Sequence, residues 1–139
     1  MEHQGGCHCG SLRVRLRLTL PAAELGIRSC TCSFCRSHGT RTASDPAGQA
    51  DIWADWSLVA KYRFGSRTAD YLLCRQCGVY VGAVCETSTG SRAVINTLCL
   101  DDRSVFVREA VHPDYDGETT EARLVRRARN WMPVAVHEL

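Results

Sequence analysis

Seven of the nine cysteines in this chain fall into three short clusters, which constrain the fold more than any other feature of the sequence. The clusters, in chain order, are the first pair (Cys7 and Cys9), the middle run (Cys30, Cys32 and Cys35) and the last pair (Cys74 and Cys77). Two thiols that lie two residues apart in an extended chain point the same way, whereas a disulfide requires Cβ atoms that face each other. We therefore expect the clusters to bind metal ions rather than to cross-link.

The cellular compartment decides how a cysteine-rich chain uses its thiols. In a reducing cytoplasm, closely spaced cysteines hold metal more often than they form disulfides, and an odd number of cysteines cannot pair completely. No apolar run approaches the ~20 residues that span a bilayer. The N-terminal segment MEHQGGCHCG also lacks the apolar core of a signal peptide. The sequence predicts a cytoplasmic protein that makes no contact with a membrane.

Zinc bound by thiolates is tetrahedral and takes four ligands, so the clusters can be combined in two ways. The first and last pairs, each followed by a glycine, would make a closed four-cysteine site and leave the middle run as a separate three-cysteine site. Alternatively, Cys32 and Cys35 would join the last pair, which would strand Cys7, Cys9 and Cys30. Spacing alone leaves both divisions open, and the first is simpler because it keeps the middle run together.

Two cysteines stand apart from the clusters. Cys85 and Cys99 lie in the apolar segments VGAVCET and VINTLCLDD. A lone cysteine in an apolar stretch is usually a small packed side chain. We predict that neither of these two residues binds a metal ion.

Hydrophobic periodicity predicts a mainly β chain. Residues 11–20 alternate strictly between apolar side chains on one face and arginines on the other, which is typical of a half-buried strand that ends before Pro21. Further on, one hairpin is predicted to turn at Gly65 and Ser66, and another joins GVYVGAVCE to RAVINTLCL through TSTGSR. A short strand is predicted in SVFVREA. Residues 40–51 are predicted to form a loop because they are rich in Ser, Asp, Pro and Gly.

One helix is predicted near the end of the chain, in TTEARLVRRARNW, where strong helix formers follow a threonine that can cap the first turn. Its four arginines are interpreted as a solvated face, the alternatives being an anion site and a surface that docks nucleic acid: Arg123, Arg126, Arg127 and Arg129. A net charge of only +2 argues against a dedicated nucleic-acid-binding protein. We therefore do not expect a nucleic-acid partner.

Four segments occur in the order typical of the glutathione-dependent formaldehyde-activating enzyme family, which includes the centromere protein V type: GGCHCGSLRVRL, CTCSFCRSHG, CRQCGVYVG and AVINTLCLDD. The chain resembles this family over a core of about residues 5–102, so we expect one domain, 1–139, in which residues 103–139 form a C-terminal extension. The resemblance implies a mainly β, zinc-bound fold of several coiled antiparallel β-sheets. It also implies two zinc ions, a structural one on Cys7, Cys9, Cys74 and Cys77 and a catalytic one on Cys30, Cys32 and Cys35.

A three-ligand zinc site has a clear chemical use, because its fourth position is open to water or substrate. A thiol that binds there loses its proton, and the metal can polarise a neighbouring carbonyl oxygen. The resemblance therefore implies a carbon–sulfur lyase of the S-(hydroxymethyl)glutathione synthase type. Its substrate would be a thiol–aldehyde adduct, with glutathione as the thiol.

The alternative to an enzyme is a binding or scaffold module in which both zinc sites are closed. His38 follows Cys35 by three residues, so its imidazole could supply the fourth ligand of the middle run. The protein would then hold two structural ions and carry out no chemistry. Spacing does not decide between an open site and one closed by His38, and it assigns no general base.

Overall fold

The computed structural model of the chain describes residues 1–139 and contains nine β-strands and two α-helices, which confirms a mainly β fold with a short C-terminal helix. The strands are β1 (Glu2–Gly6), β2 (Leu12–Arg17), β3 (Thr42–Ala43), β4 (Gln49–Ala54), β5 (Val59–Tyr62), β6 (Ala69–Cys74), β7 (Tyr80–Thr87), β8 (Gly90–Asn96) and β9 (Met132–Glu138). The helices are α1 (Ser33–His38) and α2 (Thr120–Asn130). Neither helix has the length and hydropathy that crossing a membrane would require.

The strands form a mixed sheet in the order β1-β2-β4-β9-β8-β7-β6-β5, with β3 paired to β8. β9 joins the two halves of this order. Its first residues pair antiparallel with β8, where Met132 faces Ala93, and its later residues pair parallel with β4, where Val134 faces Ala50. All the other strand pairs are antiparallel, so the architecture implied by the resemblance holds apart from the parallel pair of β4 and β9.

β2 shows how alternation builds the core. Leu12, Val14 and Leu16 are buried, and they belong to one cluster with the buried residues of the neighbouring strand β4. Each fully buried leucine contributes roughly 1.5–3 kcal/mol through the hydrophobic effect. The strand ends at Arg17, and the arginine row is only partly solvated, because Nη2 of Arg15 lies 3.1 Å from the Asp51 carboxylate.

The loop predicted over residues 40–51 is wrong in part, because it contains β3 and the start of β4. Its polar residues make internal hydrogen bonds instead of facing water. The buried carboxylate of Asp45 accepts hydrogen bonds from the backbone N–H of Thr19 at 2.7 Å and of Ala47 at 3.1 Å. The segment is also tied to the chain around the middle run, since the backbone N–H of Thr40 donates to the Cys35 carbonyl at 3.2 Å and that of Thr42 donates to the Arg28 carbonyl at 2.9 Å.

The strand predicted in SVFVREA is wrong as well. The segment begins with a single 3-10 turn, Arg103–Val105, and pairs with no strand over the rest of its length. Phe106 is its one buried apolar side chain, whereas Val105 and Val107 are exposed. An alternating pattern without a partner strand does not make a strand, since the backbone hydrogen bonds of a strand come from its neighbours.

The two predicted hairpins and the predicted helix are confirmed, with β5–β6 turning through Gly65 and β7–β8 turning just before Gly90. Thr119 caps α2, since its hydroxyl accepts a hydrogen bond from the backbone N–H of Ala122 at 3.1 Å. Five elements were not predicted: β1, β3, β4, α1 and β9. α1 has only six residues, too few for a helical period to be recognised.

Candidate metal centres

The first and last pairs of cysteines meet at one end of the sheet. Their four Sγ atoms lie within 4.8 Å of one another, and none of these cysteines forms a disulfide. Sγ of Cys9 lies 3.4 Å from Sγ of Cys74 and 3.7 Å from Sγ of Cys7. A tetrahedral ion with metal–sulfur bonds of about 2.3 Å would hold its sulfurs roughly 3.8 Å apart. The four thiols are therefore spaced to bind one metal ion.

Backbone amides point at the sulfurs of this four-cysteine centre. The N–H of Leu12 donates to Sγ of Cys7 at 3.3 Å, and the N–H of Gln76 donates to Sγ of Cys74 at 3.3 Å. Gly78 has a φ of +79°, a left-handed conformation that side chains disfavour and that the tight turn after the last pair requires. Such donors stabilise thiolates, the form in which cysteine binds metal.

The thiols of the four-cysteine centre differ in their affinity for protons. Burial raises the pKa of Cys7 to about 11, whereas hydrogen bonds from Ser11 lower the pKa of the exposed Cys9 to about 6. Without a cation, ionising one thiol of the group therefore leaves its buried neighbour protonated. A bound cation would remove this conflict, because each thiolate would then face positive charge.

The middle run forms a second group around the start of α1. Its three Sγ atoms also lie within 4.8 Å of one another. Cys32 is the N-cap of the helix, and its Sγ accepts from the N–H of Cys35 at 3.4 Å; Sγ of Cys30 accepts from the N–H of Cys32 at 3.4 Å. A hydrogen bond with Cys35 lowers the pKa of Cys30 to about 5, and the same contact together with burial raises the pKa of Cys35. The three cysteines form no disulfide, so their thiols could bind a second metal ion.

His38 is not part of the three-cysteine group. It is exposed at the end of α1, and its ring packs against Phe34, with ring centroids 4.4 Å apart. It borders a hollow that is also lined by Cys7 and Cys99, whereas the cavity beside the middle run does not include it. The geometry thus separates His38 from the thiols that it would have to join in order to close the second centre.

A cavity of about 470 Å³ opens beside the middle run, and all three of its cysteines line the wall. The four-cysteine centre is not on this cavity. Aromatic side chains form part of the lining, namely Phe64, Tyr71, Tyr80 and Trp131. Burial raises the pKa of Tyr71 to about 12 and that of Tyr80 well above its usual value, so both hydroxyls stay protonated. The cavity falls in the size range of sites for small organic ligands.

The interpretation of the α2 arginines as a solvated face is wrong for three of the four. Arg127 is only 5% exposed, Arg123 and Arg126 are half-buried, and all three line the cavity; Arg129 alone is exposed. The helix packs over β7 and β8, which turns one side of it toward the middle run. Positions i, i+3 and i+4 share one face of a helix, so the spacing of the three arginines was a usable signal.

Three other cavity residues were missed by the sequence analysis. Arg28 lies two residues before Cys30, and Tyr71 and Tyr80 lie on either side of the last pair. Nothing in their local sequence marks them, because they reach the cavity only through strand pairing. β6 and β7 pair directly, which brings Tyr71 and Tyr80 together with their ring centroids 6.0 Å apart.

Cys85→Ala and Cys99→Ala are expected to keep the full metal content of the protein. Both side chains are buried and belong to neither cysteine group, and Sγ of Cys99 donates to the Tyr80 carbonyl at 3.2 Å. Removing a small buried side chain should cost about 1–2 kcal/mol of unfolding free energy. Metal analysis and denaturant titration of the two variants test this expectation. Loss of one metal equivalent from either variant would show that a ligand has been misassigned.

Two comparisons with known proteins bear on the fold. No protein-family model matches the chain. A crystal structure of a protein from Rhodobacter sphaeroides, a structural genomics target, is similar in fold, with a TM-score of 0.57. The two sequences are 29% identical over an alignment that covers 71% of this chain and 88% of that chain. The architecture described above is therefore one that a bacterial protein of known structure shares.

Proposed function

We propose that the protein is a zinc-dependent carbon–sulfur lyase that acts on a thiol–aldehyde adduct, with glutathione as the thiol. One observation carries the proposal: the three-cysteine group lines a cavity of ligand size, whereas the four cysteines of the other group already make a full tetrahedral set. The resemblance of the cysteine segments to the glutathione-dependent formaldehyde-activating enzymes supports the same function. We accordingly propose a cytoplasmic member of that family.

The thiol-only donor sets fit zinc, which prefers cysteine and histidine ligands and tetrahedral geometry. Cys7, Cys9, Cys74 and Cys77 would hold a structural ion, and Cys30, Cys32 and Cys35 would hold a second ion with one position free. When bound, zinc supplies a Lewis acid and stabilises sulfur in its thiolate form.

The chain's own residues would orient the reactants and stabilise the oxygen atom that becomes negative during the reaction. In the direction of synthesis, the substrate thiol loses its proton and its sulfur attacks the aldehyde carbon. The C–S bond forms as the π bond of the carbonyl breaks, and the oxygen takes up one proton, so the addition is balanced; cleavage reverses these events. Tyr71 and Tyr80 line the cavity and stay protonated, so their hydroxyls can donate hydrogen bonds to an oxygen that becomes negative.

Cobalt substitution tests whether the second centre has an exchangeable position. Thiolate-to-cobalt charge-transfer absorption grows with each bound sulfur, so glutathione is expected to raise it in a saturable way. Cys32→Ser should abolish this response, because the three-cysteine centre loses a ligand. Cobalt in the four-cysteine centre should not respond, since its coordination is complete.

His38→Ala provides the matched control for the cobalt experiment. The side chain of His38 packs on Phe34 and stays outside the three-cysteine group, so the variant should respond to glutathione as the wild type does. A spectrum that ignores every thiol until His38 is removed would mean that histidine closes the centre. That result would contradict the proposed lyase activity and support the alternative, a non-enzymatic module with two structural ions.

A further inference from the structure

The cavity beside the middle run contains more positive charge than its own acidic groups neutralise. Four arginines line it: Arg28, Arg123, Arg126 and Arg127. Arg123 and Arg126 share the carboxylate of Glu118, at 3.0 and 2.9 Å. The two aspartates of the lining, Asp114 and Asp116, are exposed, and neither forms an ion pair with an arginine. The interior of the cavity therefore holds guanidinium groups without a matching anion.

Arg127 shows the imbalance most clearly. It is 95% removed from solvent, and its Nη1 donates to the Thr68 hydroxyl at 2.7 Å. Its guanidinium also lies over the ring of Trp131, 4.8 Å from the centroid. No carboxylate pairs with it, and its buried Nε has no hydrogen-bond partner. A buried charge without a counter-charge is costly, so such an arrangement points to an anion that comes from outside the protein.

Arg28 is a second cavity arginine without a carboxylate partner. Its side chain donates to the Ser44 hydroxyl at 2.6 Å and pairs with no carboxylate. Burial and the nearby positive charge of Arg126 both lower the pKa of Arg28. Three thiolates and a divalent ion would carry a net charge of about −1, which balances only one of the cavity's guanidinium groups. Arg28 and Arg127 still have no paired carboxylate when the neighbouring centre is filled.

We propose that Arg28 and Arg127, which have no carboxylate partner in the protein, form a carboxylate-binding subsite, so that the preferred substrate carries a carboxylate in addition to its thiol. This inference rests on the proposed function, and it assigns the residues that would select a carboxylate-bearing thiol such as glutathione. The planar fork of a guanidinium matches the two oxygens of a carboxylate. The subsite and the three-cysteine centre share one cavity, so one small molecule can occupy both.

A pair of thiols of the same size tests the subsite in the wild-type protein loaded with cobalt. 3-Mercaptopropionate is expected to raise the charge-transfer absorption with an affinity about tenfold higher than 3-mercaptopropionamide, which lacks the charge. Equal affinities for the acid and the amide would overturn the proposal. This comparison needs no variant, so it stands even where substitution of a buried arginine prevents folding.

Three variants then test whether Arg28 is responsible for the preference for the acid. Arg28→Gln, which can keep a hydrogen bond to Ser44, should bind the acid no better than the amide, and Arg28→Lys should recover part of the preference. Arg129→Gln is the matched control, because Arg129 lies exposed on the same helix and away from the cavity. The proposal fails if Arg28→Gln keeps the wild-type preference, or if Arg129→Gln loses it equally.

A dicarboxylate without a thiol separates this proposal from the proposed function. Glutarate should bind to the zinc-loaded wild type in calorimetry, and Arg28→Gln should abolish the binding. If neither thiol changed the cobalt spectrum while glutarate binding still depended on Arg28, the proposed lyase activity would be contradicted and the carboxylate subsite would be supported. If both thiols bound equally and glutarate did not bind, the carboxylate subsite would be contradicted, whereas thiol binding would still support the proposed lyase activity. Tighter binding of inorganic phosphate than of glutarate would overturn the assignment to carboxylates.

Discussion

Cys77→Ser is expected to unfold the protein and release a metal ion, whereas Cys32→Ser is expected to leave it folded with one ion fewer. Cys77 belongs to the centre that ties the end of β1 to the end of β6, segments more than 60 residues apart. Structural zinc supplies roughly 10 kcal/mol or more of folding free energy. A domain of this size is stable by about 5–15 kcal/mol, so losing that contribution removes most or all of its stability.

The comparison with Cys32→Ser identifies which centre carries the fold. Cys32 caps a helix of six residues, and its replacement by serine retains a capping oxygen and leaves every strand pair intact. Metal content per chain and thermal melting followed by circular dichroism measure both effects. If the two variants melted alike and lost the same ion, the division of the cysteines into groups of four and three would be incorrect.

Gly5→Ala is expected to destabilise the protein by about 3 kcal/mol, near the upper end for an overpacked site. A Cβ at this position would lie 2.1 Å from the Cys99 carbonyl oxygen and 2.6 Å from Cα of Leu100, both of which are backbone atoms. The bridge between Gly5 and Leu100 would have to open, which would displace Cys7 two residues further along. We therefore also expect weaker metal binding at the four-cysteine centre, measured by competition with a chelator.

Gly26→Ala is the control for this substitution. A Cβ at Gly26 meets no atom within 4 Å, so its stability should stay within about 0.5 kcal/mol of the wild type. Denaturant unfolding of the two variants provides the comparison. Equal stabilities would show that β1 can move away from residues 99–100 without cost, and that the close approach is not a constraint on the fold.

Features encoded by neighbouring residues could be predicted from the sequence. The alternation around Val14 predicted β2, Thr119 predicted the start of α2, and the cysteine spacings predicted that the clusters bind metal ions. Each of these depends on side-chain period, on a local hydrogen bond, or on ligands a few residues apart. The division into four and three was left open by spacing, and the tertiary structure decided the grouping by placing Sγ of Cys9 at 3.4 Å from Sγ of Cys74.

The features that could not be predicted depend on residues far apart in the chain. β9 is a strand because β4 and β8 pair with its two halves, and Arg127 is buried because α2 packs over β7 and β8. His38 illustrates a local competition. Positions i+3 and i+4 of a helix are both within reach, and its ring packs on Phe34, four residues earlier, rather than joining Cys35, three residues earlier.

The position of β9 has a consequence for how the protein is made. All seven clustered cysteines have been synthesised by residue 77, but β4 and β8 lack their shared neighbour until residues 132–138 follow. Metal binding can therefore precede closure of the sheet during translation. Pairing of Ala50 with Val134 is long-range and hence slow. The growing chain thus passes through a stage in which all the cysteines of both groups are present while two strand edges are open, and open strand edges expose a chain to aggregation.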